Sequence, residues 1–438
     1  MQHAARACRG VGRQVAQSPL GGAVDLATRG LATATPADEV VDQMIAYARD
    51  HYRDNPDQVD DILKGGLAMD VSGISQQRLW LARADTAAEW SDWRQSAGHA
   101  AAAYAAPAPS DAPGATEGKS MAVYSGVAAL LADGQDVEAG EALERPGVGR
   151  LAGPSHAALL AMLGTTFRAC TAEDIAFFQS CSAAQPPEAR AALDREVAAA
   201  QLTQAWTAGA YAPACLDGST VMESTARAVD TATAAATAQG SHAALGPLSS
   251  PLRCGEALAD AHLLRAQVHG LQGRWEESEE SLAAALSVVE GVSAGGHPRL
   301  AFPLALLAHV YSRTARVTLA EGLYREATKL LQLDPRREAP SVSAPAAPAP
   351  AHWTVGAMLS WRYGQLLTAL PRRGTEAAAW QALGLRLAEP LSAIMPMQTL
   401  LGPLDVLTQK GAQPVPGMLL SLPFRRAVPL VSCTMDPP

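Results

Sequence analysis

An all-α fold of stacked helix pairs is predicted for this 438-residue chain, and three observations predict it. Apolar residues recur at steps of three and four through most of the sequence, the period of one helical face. The β-branched and aromatic runs that mark strands are scarce: aromatic residues make up 5% of the chain, while alanine, the best helix former, is abundant. Two stretches also echo each other at a fixed offset. Ser278, Leu282 and Ala285 in EESEESLAAA share one helical face, and Ala320, Tyr324 and Ala327 in LAEGLYREA repeat it 42 residues further on. An offset shared by several position types marks repeating units that bury their apolar faces only against one another.

Bulk properties narrow the classes of function. Hydrophobic residues form 48% of the chain, enough for a core, and no window approaches about 18 uninterrupted apolar residues, so no transmembrane segment is expected. The formal net charge is −9 and no long basic run follows the N-terminus, which argues against nucleic acid or an anionic membrane as partner. Six cysteines, at 8, 170, 181, 215, 254 and 433, make no Cys-x-x-Cys and no zinc spacing. They read as buried free thiols.

Residues 1–31 read as an organelle transit peptide. The opening MQHAARACRGVGRQVAQSPLGGAV carries Arg6, Arg9 and Arg13, has no acid before Asp25, and lacks the continuous apolar core of a secretory signal. Arg29-Gly30-Leu31-Ala32 resembles a mitochondrial processing site, which places the cut between Leu31 and Ala32. A plastid address shares this composition and is the alternative.

The segment 32–105 turns acidic. Asp38, Glu39, Asp42, Asp50, Asp54, Asp57, Asp60 and Asp61 accompany Val40, Val41, Met44, Ile45, Ala48 and Tyr52 at helical spacing, an amphipathic helix with one solvated acidic face. A second helical stretch runs from Arg78 to about Tyr104, anchored by Leu79, Ala82, Trp90 and Trp93. APAPSDAPGATEGKS, residues 106–120, has a linker's composition. Gly114 and Gly118 enclose three residues where a phosphate loop needs four, and no strand precedes them. Residues 121–250 read as Ala-rich helices between Gly and Pro breaks. Leu159, Leu160 and Leu163 share a face there, as do Ile175 and Phe178, then Leu193 and Val197, and Val221 to Ala238 is helical.

Residues 251–337 hold the repeat. Each block is a helix, a short turn and a second helix, with Ala266 and Ala308 in register in the first helices and Gly273 and Ala315 in the turns. Antiparallel helices approach closely only where small side chains meet, and Leu282 and Tyr324 then fill the space between adjacent pairs. The runs His297-Pro298-Arg299-Leu300-Ala301, Leu304, Leu307-Ala308, Tyr311 and Ala320-Glu321-Gly322-Leu323-Tyr324-Arg325-Glu326-Ala327 resemble the tetratricopeptide repeat, in the 42-residue form of kinesin light chains. The resemblance implies an α-solenoid whose inner groove holds a protein partner. Where relatives that grip a peptide terminus carry paired asparagines, this chain has Leu263-Leu264 and Ala305-Leu306. The inner strip becomes Asp260, Leu263, Gln267, Phe302, Ala305, His309 and Arg313, expected to suit a helix or a protein surface rather than a carboxylate terminus.

A second Pro/Ala linker, 338–352, precedes a degenerate helical pair at 353–410. In that pair Tyr363-Gly364 and Trp380 fit the repeat and the turn does not. The last segment, 411–438, is punctuated by proline and keeps neither a period of 2 nor of 3.6. It reads as an irregular tail outside the repeat fold, a translated intron or a shifted frame.

No catalytic constellation emerges. The ten histidines make no His-x-x-x-His, and Gly-x-Ser-x-Gly is absent. His262 and His269 share a helix with no further ligand at hand, and Glu276, Glu277, Glu279 and Glu280 read as a solvated helix side. No catalytic residue, cofactor or metal is expected. The function expected is a non-enzymatic scaffold for protein–protein interaction in mitochondria, in assembly of a respiratory or ribosomal complex. The alternatives are a cytosolic cargo adaptor like kinesin light chain, and an enzyme with its site in 121–250.

Overall fold

Local chemistry sets the helix starts. Asn55, Ser72 and Asp92 each use a side-chain oxygen to accept the N–H three residues on, opening the helices that follow. The computed structural model describes residues 36–52, 54–69, 71–107, 115–144, 148, 173, 175–176, 179–180, 187–207, 220–237, 251–293, 297–336, 349–392, 396–402 and 417–430. The transit-peptide reading, the leucines at 159–163, Phe178 and the cysteine side chains lie outside the described residues.

Four helices form the first layer: α1 (Pro36–Tyr52), α2 (Pro56–Leu67), α3 (Gly73–Glu89) and α4 (Trp93–Ala105). The acidic face is only partly solvated, because α3 folds back along α1 and α2 and brings two arginines to it. Asp42 pairs with Arg78 at 3.1 Å, and Asp60 with Arg83 at 2.5 Å. Trp90 is 43% exposed at the end of α3, whereas Trp93 is 3% exposed. Only the second tryptophan anchors the layer. The chain continues through α5 (Ala115–Asp133), α6 (Asp136–Glu144), α7 (Pro187–Thr207), α8 (Thr220–Thr237), α9 (Pro251–Leu271) and α10 (Trp275–Val292). The expected linker therefore stops short of its predicted end: from Ala115 the residues are helix formers, and Ala115 and Ser120 are buried.

A 3-10 turn at Pro298–Leu300 leads into α11 (Ala301–Arg313) and α12 (Val317–Leu330), then α13 (Trp353–Thr368) and α14 (Gly374–Leu387). Ala266, Ala285, Ala308, Ala320 and Ala327 are all at most 1% exposed, as the 42-residue register requires. The Ser278 hydroxyl donates to the Ala266 carbonyl at 2.8 Å, so the first crossing is both close and hydrogen-bonded. In α13–α14, glycines replace the alanines: a Cβ on Gly384 would lie 3.3 Å from the Ala357 carbonyl oxygen and from the Trp361 nitrogen. Tyr324 is fully buried and stacks on Tyr363 with ring centroids 5.3 Å apart, and Tyr363 lies 5.1 Å from Trp380. An aromatic ladder thus joins the last two pairs. Glu279 is not a solvated helix residue: it accepts from the Tyr311 hydroxyl at 2.9 Å and pairs with Arg316, tying α10 to the next helix pair.

One turn recurs. Ser91, Gly134, Gly273, Ala315 and Arg372 have left-handed φ angles of 63°, 81°, 74°, 59° and 63°. Each stands two residues before the second helix of a pair, at α4, α6, α10, α12 and α14. Asp92, Gln135, Arg274 and Arg316 donate their N–H groups back to the carbonyls of Ala87, Leu130, His269 and Tyr311, the closing bond of a Schellman cap. The α13–α14 turn, which the sequence does not match, shares the left-handed residue at Arg372 but is longer than the turns into α10 and α12. A left-handed alanine costs about 1–2 kcal/mol that glycine does not. Ala315→Gly is therefore expected to stabilise the protein by about 0.5–1 kcal/mol after its chain-entropy cost. A fall in the urea midpoint, as for an ordinary helix-interior Ala→Gly, would contradict the turn.

The short helices α15 (Glu389–Ser392) and α16 (Met397–Leu401) are followed by a hairpin of two antiparallel strands, β1 (Met418–Ser421) and β2 (Arg426–Pro429). Leu419 pairs with Val428 and Leu420 with Ala427. This corrects the reading of 411–438 as an irregular tail outside the fold. Leu420, Leu422 and Ala427 sit in the main core with α9–α14, while Leu419 and Leu430 pack with Leu202, Leu264 and Val268. A strand buried on both sides shows no alternation, which is why no period was visible.

Candidate functional site

The first helices of the three repeat-like pairs, α9, α11 and α13, supply the inner face, and the hairpin lies on it. Gln267 grips one residue of the hairpin at two points: its Oε1 accepts the Leu420 N–H at 2.8 Å and its Nε2 donates to the Leu420 carbonyl at 3.4 Å. Asp260 accepts the Leu422 N–H at 2.7 Å and pairs with Arg195 of α7 at 2.5 Å. On α13 the Thr354 hydroxyl accepts the Ala427 N–H at 3.0 Å and donates to His352 Nδ1 at 2.7 Å. Three side chains on two helices, α9 and α13, thus hold the hairpin's main chain. The strip is expected to suit a helix or a protein surface; within the chain itself, Gln267 and Asp260 bind backbone amides of the hairpin.

Electrostatics hold the tip. Arg425 is 2% exposed, pairs with Glu256 at 2.8 Å and donates to the Leu422 carbonyl at 2.6 Å. Its guanidinium lies 5.9 Å from the Phe302 ring centre. Burial, then the neighbouring Arg299, lowers it to about 10, so it stays charged at neutral pH. Arg426 makes a two-point pair with Asp136 at 2.6 and 3.0 Å. Burial pushes the Asp260 carboxyl up to about 6 against the pull of Arg195 and the Leu422 N–H.

The sequence-predicted strip divides in two. Asp260, Leu263, Gln267, Phe302 and Ala305 lie under or beside the hairpin, with Leu263 and Phe302 fully buried. His309 and Arg313 belong to a separate cluster near Trp275: the Trp275 and His309 ring centroids are 6.3 Å apart, and the Arg313 guanidinium lies 5.8 Å from the Trp275 ring centre. Arg195, Glu256, His352, Thr354 and Arg425 escaped sequence reasoning. Their partners lie far away along the chain, and only Thr354, following the His352 cap, carries a local signal.

Among the described residues no three His, Cys, Asp or Glu side chains group to hold a metal ion, and no helix is long and apolar enough to cross a membrane. A cleft of about 570 Å³ between α4, α5 and α6 is walled by apolar residues including Ala100, Tyr104, Val123 and Val127, with Glu138 and Glu141 on a single helix.

Residues 257–332, spanning α9–α12, match the tetratricopeptide repeat family. No curated protein matches the chain. The chain carries tetratricopeptide repeats in an all-α solenoid, an architecture that typically serves as a non-enzymatic scaffold for protein binding.

Proposed function

We propose that this protein is a non-enzymatic tetratricopeptide scaffold of the mitochondrion that holds another protein during assembly of a respiratory or ribosomal complex. The observation that carries the protein-binding part is the inner face itself, where Gln267, Asp260 and Thr354 bind extended main chain. That chemistry is spent on the hairpin, so the partner takes the part of the inner face the hairpin leaves. The acid-poor segment with Arg6, Arg9 and Arg13 supports the location, and the mature protein is expected to begin at Ala32. N-terminal sequencing that finds Met1 intact removes the mitochondrial part.

Site-specific crosslinking tests the scaffold. A photo-reactive residue at position 309 on the inner face is expected to trap one defined partner, and the same residue at Leu319, 55% exposed on α12, to trap none. Equal capture at both positions would mean that the groove has no special role.

A further inference from the structure

Away from the hairpin's contacts, α11 and α13 bring two arginines together with an unprotonated histidine. Arg362 on α13 is half-buried, and its Nε and Nη1 are shielded from solvent without a hydrogen-bond partner. A guanidinium carries five donors and stays charged, so leaving the three on Nε and Nη1 dry and unpaired is costly. His309 and Arg313 on α11 lie close enough for charge to act between them and Arg362, and burial leads the depression of all three. The titratable groups among the described residues that act on Arg362 are the Tyr324 phenol, raised to about 12 and so neutral, and Arg313, with no carboxylate among them. Trp275 closes one side, facing His309 edge-on and lying under Arg313.

Elsewhere this fold pairs its buried arginines. Arg83 meets Asp60, Arg195 meets Asp260, Arg299 meets Glu256 and Glu89, and Arg426 meets Asp136. Arg362 stands out against that pattern. A half-buried cation without an anion is complementary to an oxyanion from outside. Proteins present oxyanions chiefly as Asp and Glu side chains, whose single charge and planar pair of oxygens match a guanidinium.

We propose that Arg362, together with Arg313 and His309, seats a carboxylate side chain of the bound protein. The seat rests on the scaffold reading and names the chemistry by which that partner is recognised. It uses none of the side chains that hold the hairpin, which are Gln267, Asp260, Thr354 and Glu256. The partner and the hairpin then share the inner face without competing for Gln267 or Thr354.

The test uses the full chain, unfolded in urea at fixed ionic strength with chloride replaced stepwise by glutarate or by inorganic phosphate. Glutarate is expected to raise the wild-type midpoint in a concentration-dependent way, because a ligand that binds only the folded state stabilises it. Arg362→Met should lose that shift and, in chloride alone, unfold at a higher midpoint than wild type, since it removes an unpaired buried charge. A merely structural arginine would do the opposite, and a lower midpoint for Arg362→Met overturns the proposal. So does an unchanged glutarate response in that variant, or none in wild type. A larger response to phosphate than to glutarate overturns the carboxylate assignment. Specific crosslinking at position 309 without any glutarate response would sink the seat and leave the scaffold standing.

Discussion

A chain ended at residue 416 is expected to lose the cooperative unfolding of the full protein. The hairpin contributes Met418, Leu419, Leu420, Leu422, Phe424 and Leu430 to the interior, each at most 6% exposed. Burying a large apolar side chain stabilises by about 1.5–3 kcal/mol, so six of them amount to on the order of 10 kcal/mol. That matches the whole stability of an ordinary domain, roughly 5–15 kcal/mol. The loss is not confined to one repeat. Leu420 serves the core of α9–α14, Phe424 packs with Val127 and Leu143 of α5 and α6, and Leu419 packs with Leu202 of α7. The hairpin is thus the common neighbour of helix pairs far apart in the sequence. Urea titration of the two chains decides it, with a lower midpoint and a broader transition expected for the shorter one. Adding residues 417–430 as a separate peptide should restore part of the loss. An unchanged transition in the shortened chain would show that the hairpin is a passenger.

Much of the repeat was legible because its determinants are local. Small residues at Ala266, Ala308, Ser278 and Ala320 announce helix crossings, and the offset of 42 survives where side chains differ, as Leu282 and Tyr324 show. The turn was legible at Gly273 and Ala315, where the 42-residue register places it, and not at Gly134. At Ser91, Ala315 and Arg372 the same left-handed backbone is imposed by the flanking helices, against the preference of the side chain. The α13–α14 pair was faint because Gly364 and Gly384 do there what alanine does in the other two. The residues of the inner strip lie on α9 and α11, yet the hairpin that covers part of them was not visible. Gln267 and Leu420 are 153 residues apart, and no periodicity reports a contact of that separation. The hairpin itself was hidden by the burial of β1 on both faces and by the prolines around it, which made a strand look like an irregular tail.

Acid is expected to weaken the protein well before its carboxylates titrate. His352 is 2% exposed, and its Nδ1 accepts the Thr354 N–H at 3.2 Å and the Thr354 hydroxyl at 2.7 Å, capping α13. That hydroxyl in turn accepts the Ala427 N–H of β2, so an unprotonated imidazole supports the hairpin's attachment. Burial, then the charge of Arg426, depresses His352 to about 2. The sign follows from linkage. The unfolded chain takes up the proton near pH 6.5 and the folded one does not, so this stabilisation is complete above about pH 6.5 and falls as pH drops below it. At pH 5 the difference spans about 1.5 pH units, or about 2 kcal/mol from this residue. His309, held well below its ordinary value by burial and by Arg362 and Arg313, acts in the same sense, as do His99, His262 and His269. Asp260 opposes them. Its raised value means that the folded state binds a proton first between about pH 6 and pH 4, which adds stability as pH falls. One proton on one carboxyl does not outweigh five histidines. The urea midpoint is therefore expected to fall between pH 7 and pH 5. His352→Asn keeps a side-chain oxygen able to cap α13 and removes the titrating ring. Its midpoint should depend on pH more weakly, by about one proton's worth of slope between pH 6.5 and pH 5. A wild-type midpoint that stays level down to pH 5, or a His352→Asn profile parallel to wild type, would separate the histidine from the hairpin and refute the link.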